Sequence, residues 1–253
     1  MSTKFCLRAA PWRVAAIIIT ALLASCHVSP AKPGPAAPPV ESQVPPAPGP
    51  VQPGSAAPAV AGRVFHVLPG ESEVRMLVYR GGSFAQFGHN HVITSHDLGG
   101  TVTLPEDPTQ AQFEILMPVA PLTVDDPDQR AQEGADFASQ VNDGAREGTR
   151  RNMLKPQVLD GDRYPLVTVH SKSITRAGED YDVVFEVELR GLKHALAAPV
   201  HVAIDGGRLA ATGELTFNQS DLGITPFTAG MGALAVKDEV RLKFDIHATV
   251  SER

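Results

Sequence analysis

The residues most able to do chemistry lie in one short run. Phe87-Gly88-His89-Asn90-His91 is followed at once by His96-Asp97. In a strand, residues two apart point the same way. His89 and His91 could therefore share a face. With His96 or Asp97 added, two imidazoles could ligate zinc or copper. The same pair could instead sit at the mouth of a cavity and contact a polar ligand head. A pyrophosphate head would suit a protonated histidine or Arg80. A third reading gives one histidine a hydrogen bond within the fold and leaves the others in water. Residue types and spacing alone leave all three open.

Other clusters have structural readings. Asp125, Asp126 and Asp128 surround the start of a helix, where acids are favoured without any catalytic role. Arg146, Arg150 and Arg151 could share a helical face and bind a phosphate, but a solvated face is the favoured account of them. Gly81-Gly82 and Gly230 to Gly232 read as turns or bulges. There is no Gly-x-Ser-x-Gly and no zinc-protease helix. We expect no catalytic residues and no resident metal or cofactor.

The elements that must position these residues are strands. Between Asp182 and Arg190, Val183, Phe185, Val187 and Leu189 alternate with mostly charged residues. Val240, Leu242, Phe244, Ile246, Ala248 and Val250 alternate with Glu239, Arg241, Lys243, Asp245, His247 and Thr249. One dry and one wet face per strand is the signature of antiparallel sheet. Weaker alternation marks 64–68, 74–78, 102–104, 113–117, 167–169, 200–204 and 209–217. Gly206-Gly207 between two such runs signals a hairpin. The count is about eight strands. From 125 to 155 the alternation lapses. Asp126 can cap a helix beginning at Pro127, and 127–140 and 144–155 read as two short helices. The fold class is all-β, and the dry faces must close on themselves as a sandwich or a barrel. An eight-stranded barrel can enclose one small ligand.

The first 60 residues read differently. Lys4, Arg8 and Arg13 precede an apolar stretch from Val14 to Ala24, which is short for a bilayer span and reads as a secretory signal. Leu23-Ala24-Ser25-Cys26 looks like a bacterial lipobox, which would leave Cys26 as a lipidated first residue. Once residues 1–25 are removed, Cys26 is the one cysteine left, so no intrachain disulfide can form. Residues 30–60 hold 11 of the 22 prolines and only two charges, Lys32 and Glu41. This composition cannot build a core. It reads as an extended tether, reaching about 95 Å at most. The chain thus divides into a signal (1–25), a lipidated Cys26 with its Pro/Ala-rich linker (26–60) and a folded domain (61–253).

The formal net charge is −6, and removal of residues 1–25 takes three of the 22 basic residues and no acidic one, leaving −9. That balance excludes a general nucleic-acid binder. It also leads us to expect that the domain's surface avoids anionic lipid and that acyl chains make the membrane attachment.

Three stretches give a resemblance. Arg151-Asn152-Met153-Leu154 is followed by Asp162-Arg163-Tyr164-Pro165. Glu188-Leu189-Arg190-Gly191-Leu192-Lys193-His194 forms a second. Gln219-Ser220-Asp221-Leu222-Gly223-Ile224, followed by Lys237-Asp238-Glu239-Val240, forms a third. In order and spacing, residues 64–250 resemble the YceI-like family of bacterial secreted or periplasmic domains associated with polyisoprenoid and lipid binding. The sequence departs from the family at Gln219, where arginine is usual, and in the histidine-rich 88–96 stretch. The resemblance implies an eight-stranded, lipocalin-like antiparallel barrel with one or two short helices. It also implies a hydrophobic cavity for an isoprenoid or fatty chain. The lining candidates are Val183, Phe185, Val187, Phe217, Leu242 and Phe244, with His89 and His91 as further ligand contacts. The expected setting is the bacterial envelope. By resemblance to enteric lipoprotein sorting, the absence of Asp at position 27 implies the periplasmic face of the outer membrane. A metal-binding protein or enzyme using His89 and His91, and an interaction module with a packed core, are the rival readings.

Overall fold

A computed structural model describes residues 61–250. The expected signal, Cys26 and the proline-rich tether lie outside the described residues.

The strands, in chain order, are β1 (Arg63–Val67), β2 (Glu73–Gly81), β3 (His91–Ser95), β4 (Gly99–Leu104), β5 (Gln112–Pro118) and β6 (Thr123–Val124), then β7 (Leu166–Ala177), β8 (Asp180–Leu189), β9 (Leu192–Asp205), β10 (Arg208–Asn218), β11 (Thr228–Ala229) and β12 (Leu234–Val250). Between β6 and β7 lie two helices, α1 (Pro127–Gln132) and α2 (Asp143–Met153).

Eight strands close a ring in the order β1-β4-β5-β7-β8-β9-β10-β12, and β12 pairs back onto β1. All neighbours are antiparallel. The 17-residue β12 runs the length of the wall. Its C-terminal end pairs with β1, and its earlier part pairs with β2 over Ala235 to Asp245. At that end the wall continues from β2 through β3 to β6. The result is an eight-stranded antiparallel barrel with two short helices.

Local chemistry accounts for the connections. The β7–β8, β8–β9 and β9–β10 hairpins turn through two residues each. At Arg190-Gly191 both φ angles are positive, 54° and 72°, as a tight right-twisted hairpin demands. α1 begins at Pro127 because the Asp126 side chain accepts from the Asp128 and Gln129 amides. α2 is capped by Asn142, whose side chain accepts from the Ala145 amide.

Two expectations change. The helix expected over 127–140 stops at Gln132. Gly134, at φ 80°, turns the chain out of helical geometry, and only a short 3-10 turn, Ala135–Phe137, follows. The one-dry-face rule also fails on β2 and β3. Leu77 and Val92 point away from the barrel interior yet are buried, packed with Phe137. The 125–141 segment covers this part of the wall from outside. Glu133, just past α1, pairs there with Arg75 of β2 at 2.7 Å and with Lys243 of β12.

The interior depends on small residues as well as large ones. A Cβ at Gly213 of β10 would lie 2.5 Å from the Phe244 ring and 2.6 Å from the Pro199 carbonyl oxygen. Gly213 therefore lets the Phe244 ring lie against the wall. We expect Gly213→Ala to destabilise the domain by about 1–3 kcal/mol, measured by urea unfolding.

Candidate functional site

The inward faces of the strands do not fill the barrel. They enclose a cavity of about 470 Å³, within the roughly 300–1,000 Å³ usual for ligand pockets. Its walls are almost wholly apolar. Val183, Phe185, Val187, Phe217, Leu242 and Phe244 all line it. Alternation in β8, β10 and β12 thus places the six lining candidates on the interior side.

The two ends differ. At the β1 end the lining residues Leu104 and Leu209 belong to a packed cluster with Phe65 and Ala248. At the other end it is bounded by α2 through Thr149, Asn152 and Met153, by Gln219, and by Phe227 and Val236. Most of the polar lining groups gather here, and His91 is one of them.

His91 opens β3 opposite Val78 of β2. Its Nδ1 lies 2.6 Å from Asp125 Oδ2. A carboxylate can only accept, so Nδ1 carries the proton and Nε2 is the atom left for a ligand. The Asp125 side chain is fully buried. Its Oδ1 accepts from the Val92 amide at 2.9 Å and from Arg130. Arg130, also buried, donates to the Asn90 carbonyl at 2.6 Å and to the Ser139 carbonyl at 2.9 Å. The Asn90 side chain accepts from the Arg80 amide and donates to the Asp136 carbonyl. Burial alone would push the Asp125 carboxyl up. The His91 hydrogen bond and charge, the Val92 amide and Arg130 together outweigh it and hold the group below the usual carboxylate range.

The remaining histidines are dispersed. His89 precedes β3 rather than lying in it, so it does not share a strand face with His91 and does not line the cavity. Burial, then the charges of His91 and Arg130, lower its pKa. His96 faces Ser72 and Gln129, and Asp97 is exposed. Among the described residues, no three His, Cys, Asp or Glu side chains converge in a way that could hold a metal ion. Arg80 donates to the Gly88 carbonyl and lies off the cavity wall. Arg146 and Arg150 lie along one side of α2, with Asp143 and the Ala120 carbonyl as partners, while Arg151 pairs with Glu147.

Sequence reasoning missed Asp125. It stood with Asp126 and Asp128 as a helix-start acid, but only Asp126 caps and Asp128 lies in the first turn. Asp125 turns away at φ 55° into the buried network. Arg130 was missed as well. A buried pair made by residues 125 and 130 of a polar stretch leaves no periodic signal.

The three family-like stretches meet at the cavity end bounded by α2. The Arg190 guanidinium donates to the Val158 and Gly223 carbonyls, each at 3.3 Å. Gly191 lies against the Tyr164 ring, where a Cβ would come within 3.2 Å. The Ser220 hydroxyl and amide both bond the Asp238 carboxylate, which ties the 3-10 turn Gln219–Leu222 to β12. Gln219 lines the cavity and donates to the Lys237 carbonyl at 2.7 Å.

Comparison with known proteins agrees with this architecture. The family model of the YceI-like domain matches residues 65–248, and the chain belongs to that family. The crystal structure of Burkholderia cenocepacia BcnA shares the fold, with a TM-score of 0.53 and 20% identity over 72% of this chain and 99% of that one. The Campylobacter jejuni YCEI protein is more remote, with a TM-score of 0.43 and 9% identity over 62% and 82% of the two chains. No curated protein matches the chain.

The buried ion pair yields a stability prediction. Asp125→Asn leaves the Arg130 guanidinium buried without a counter-charge and should cost about 3–5 kcal/mol, read by urea unfolding at neutral pH. Because folding depresses the Asp125 pKa, its contribution is complete above the unfolded value of about 4. It disappears as pH falls through the folded value. The variant should therefore lose less stability than the parent on acidification below pH ~4.

Proposed function

We propose that this YceI-like domain is a binding protein for an amphiphile with a long apolar chain, such as an isoprenoid or fatty lipid. The observation that carries the reading is the apolar cavity of about 470 Å³ with a polar group, His91, held at one end. The apolar walls take the chain, and burial gains about 0.8 kcal/mol per methylene. Ten buried methylenes would gain about 8 kcal/mol, the equivalent of micromolar affinity before the costs of association, so tight binding calls for a longer chain. His91 contacts the head. Its Nε2 accepts from a hydroxyl when neutral and donates to an anionic oxygen when protonated.

Sequestration rather than catalysis is the proposed role. Asp125 orients His91, and among the described residues no serine nucleophile is hydrogen-bonded to its ring. A module with a fully packed core fits the cavity poorly. The signal-like segment and Cys26 support an envelope lipoprotein, tethered by acyl chains through residues 30–60, at the periplasmic face of the outer membrane.

The test is native mass spectrometry of residues 61–253 purified from a bacterial host without detergent. We expect an adduct of lipid mass that leaves on organic extraction. A protein that stays bare after incubation with isoprenoids and fatty acids would sink the reading. In the refilled protein, Val187→Trp should lower affinity for a fluorescent fatty acid about tenfold by occupying cavity space. His91→Ala should weaken a chain bearing a polar head about tenfold, equivalent to ~1.4 kcal/mol, and leave a headless hydrocarbon probe unchanged.

A further inference from the structure

The cavity rim at the α2 end differs from the rest of the surface. Beyond the lining residues Phe227 and Val236, whose backbones are hydrogen-bonded at 2.9 Å, the chain forms the β11–β12 hairpin. Its tip carries Met231, flanked by Gly230 and Gly232 and fully exposed. The β2–β3 loop lies alongside. The Phe84 amide donates to the Ala233 carbonyl at 2.8 Å. A Cβ at Gly82 would lie 2.5 Å from that same oxygen, so only glycine allows the two loops to approach so closely. On this loop Phe84 and Phe87 are 53% and 72% exposed, with their rings edge to face at 6.0 Å. Phe227, which lines the cavity, is itself 40% exposed. One exposed apolar residue is ordinary. Four large ones on two adjoining loops mark an interaction surface.

The charges around them are also unusual. The whole chain carries −6, yet residues 74–96 and 222–237 contain no Asp or Glu. Their charged residues are Arg75, Arg80 and Lys237. Arg80 and Lys237 stand exposed beside the two loops. Apolar tips flanked by long cationic side chains suit a lipid–water interface, where the tips enter the acyl boundary and the cations reach phosphate level.

We propose that Phe84, Phe87, Phe227 and Met231 form a membrane-docking rim that seats the α2 end of the cavity on a phospholipid bilayer. The partner is the bilayer surface itself. A flat, broad protein partner would not call for protruding tips, and continuity with the cavity gives the rim a purpose. Phe227 belongs to both the rim and the lining, so a chain leaving the bilayer meets apolar surface throughout and never crosses water. That purpose rests on the cavity reading above; the docking itself does not. Such docking departs from the expectation that the acidic domain avoids lipid: the two loops themselves carry no acid, although Asp221, Asp238 and Glu239 border the second. The tether geometry is compatible. The described chain begins beside the far end of β12, about 55 Å from the rim at 3.3 Å for each of its 17 residues. Residues 30–60 could reach about 95 Å.

The experiment uses the chain without its first 26 residues. The only tryptophan, Trp12, is removed with them, so Met231→Trp introduces a single reporter. With phosphatidylcholine–phosphatidylglycerol vesicles, the emission should shift to the blue and be quenched by lipids brominated on their acyl chains. Adding Phe84→Ser and Phe87→Ser, both exposed positions, should lower vesicle affinity at least about tenfold, while uptake of a water-dispersed fatty probe stays unchanged. No shift with vesicles would overturn the proposal. So would a shift that grows with protein concentration in the absence of lipid, which would mean self-association. Native mass spectrometry of the same sample separates the two readings. A loaded cavity with no vesicle-dependent shift overturns the rim alone, and a vesicle-dependent shift with a cavity that never loads overturns the carrier reading alone.

Discussion

Closure of β12 onto β1 is the constraint on which the rest of the domain depends. The seam pairs Phe65, His66 and Val67 with Val250, Thr249 and Ala248, and both Phe65 and Ala248 are completely buried there. A closed sheet has no edge strand among its ring members. It also fixes the space inside. Eight strands give an interior just wide enough for side chains to fill or for one small ligand. Which outcome results is then a matter of side-chain volume. Ala211 and Gly213 on the inward face of β10, and valines along much of the wall, leave room that a ring of leucines and phenylalanines would remove.

Closure has a second consequence on the β2–β3 part of the wall. Here the strands are covered on their outer face by the 125–141 segment, so polar groups on that face are buried and must be matched. They are matched by charge. Glu133 sits between Arg75 and Lys243, and Asp125 sits between Arg130 and His91. A buried ion pair contributes little stability relative to apolar packing but is costly to break. Its value here is orientation: the Asp125 carboxylate, bonded alongside β3, fixes the ring of a cavity-lining residue. The same group that pins the covering segment therefore sets which nitrogen His91 offers to the cavity.

Much of the architecture was legible because alternation is a local property. In β8, β10 and β12 each residue's facing follows from its neighbours two positions away, and the six lining candidates came from that parity. What escaped depended on distance along the chain. His91 and Asp125 lie 34 residues apart, and nothing local to Asp125 separates it from the capping Asp126 beside it. Leu77 and Val92 break the polar face of their strands, but only the segment that arrives later shows why. The shared face expected for His89 and His91 failed for a simpler reason: pairing with β2 begins at His91, so parity does not extend back to His89. The break at Gly134 depends on a positive φ that a helical pattern tolerates on paper.

The two ends of the barrel impose a direction on any amphiphile inside it. At the β1 end, Phe65, Leu104, Leu209 and Ala248 offer only apolar contacts, so a polar head placed there would be desolvated without a partner, at a cost of several kcal/mol. At the other end, His91, Asn152, Thr149 and Gln219 line the wall within reach of water. The chain therefore goes in with its apolar terminus first and its head last. Such a ligand would lie in the opposite sense to a lipid of the leaflet beneath it, since in both places the head is next to the rim and the tail points away from it. To move from a bilayer into a barrel seated rim-down, it would have to turn end for end, or double its chain back and enter by the middle. A flexible prenyl or fatty chain can fold back in this way, whereas a rigid polycyclic lipid cannot. On the proposed seating, the orientation of the site would thus select for chain flexibility as well as for length.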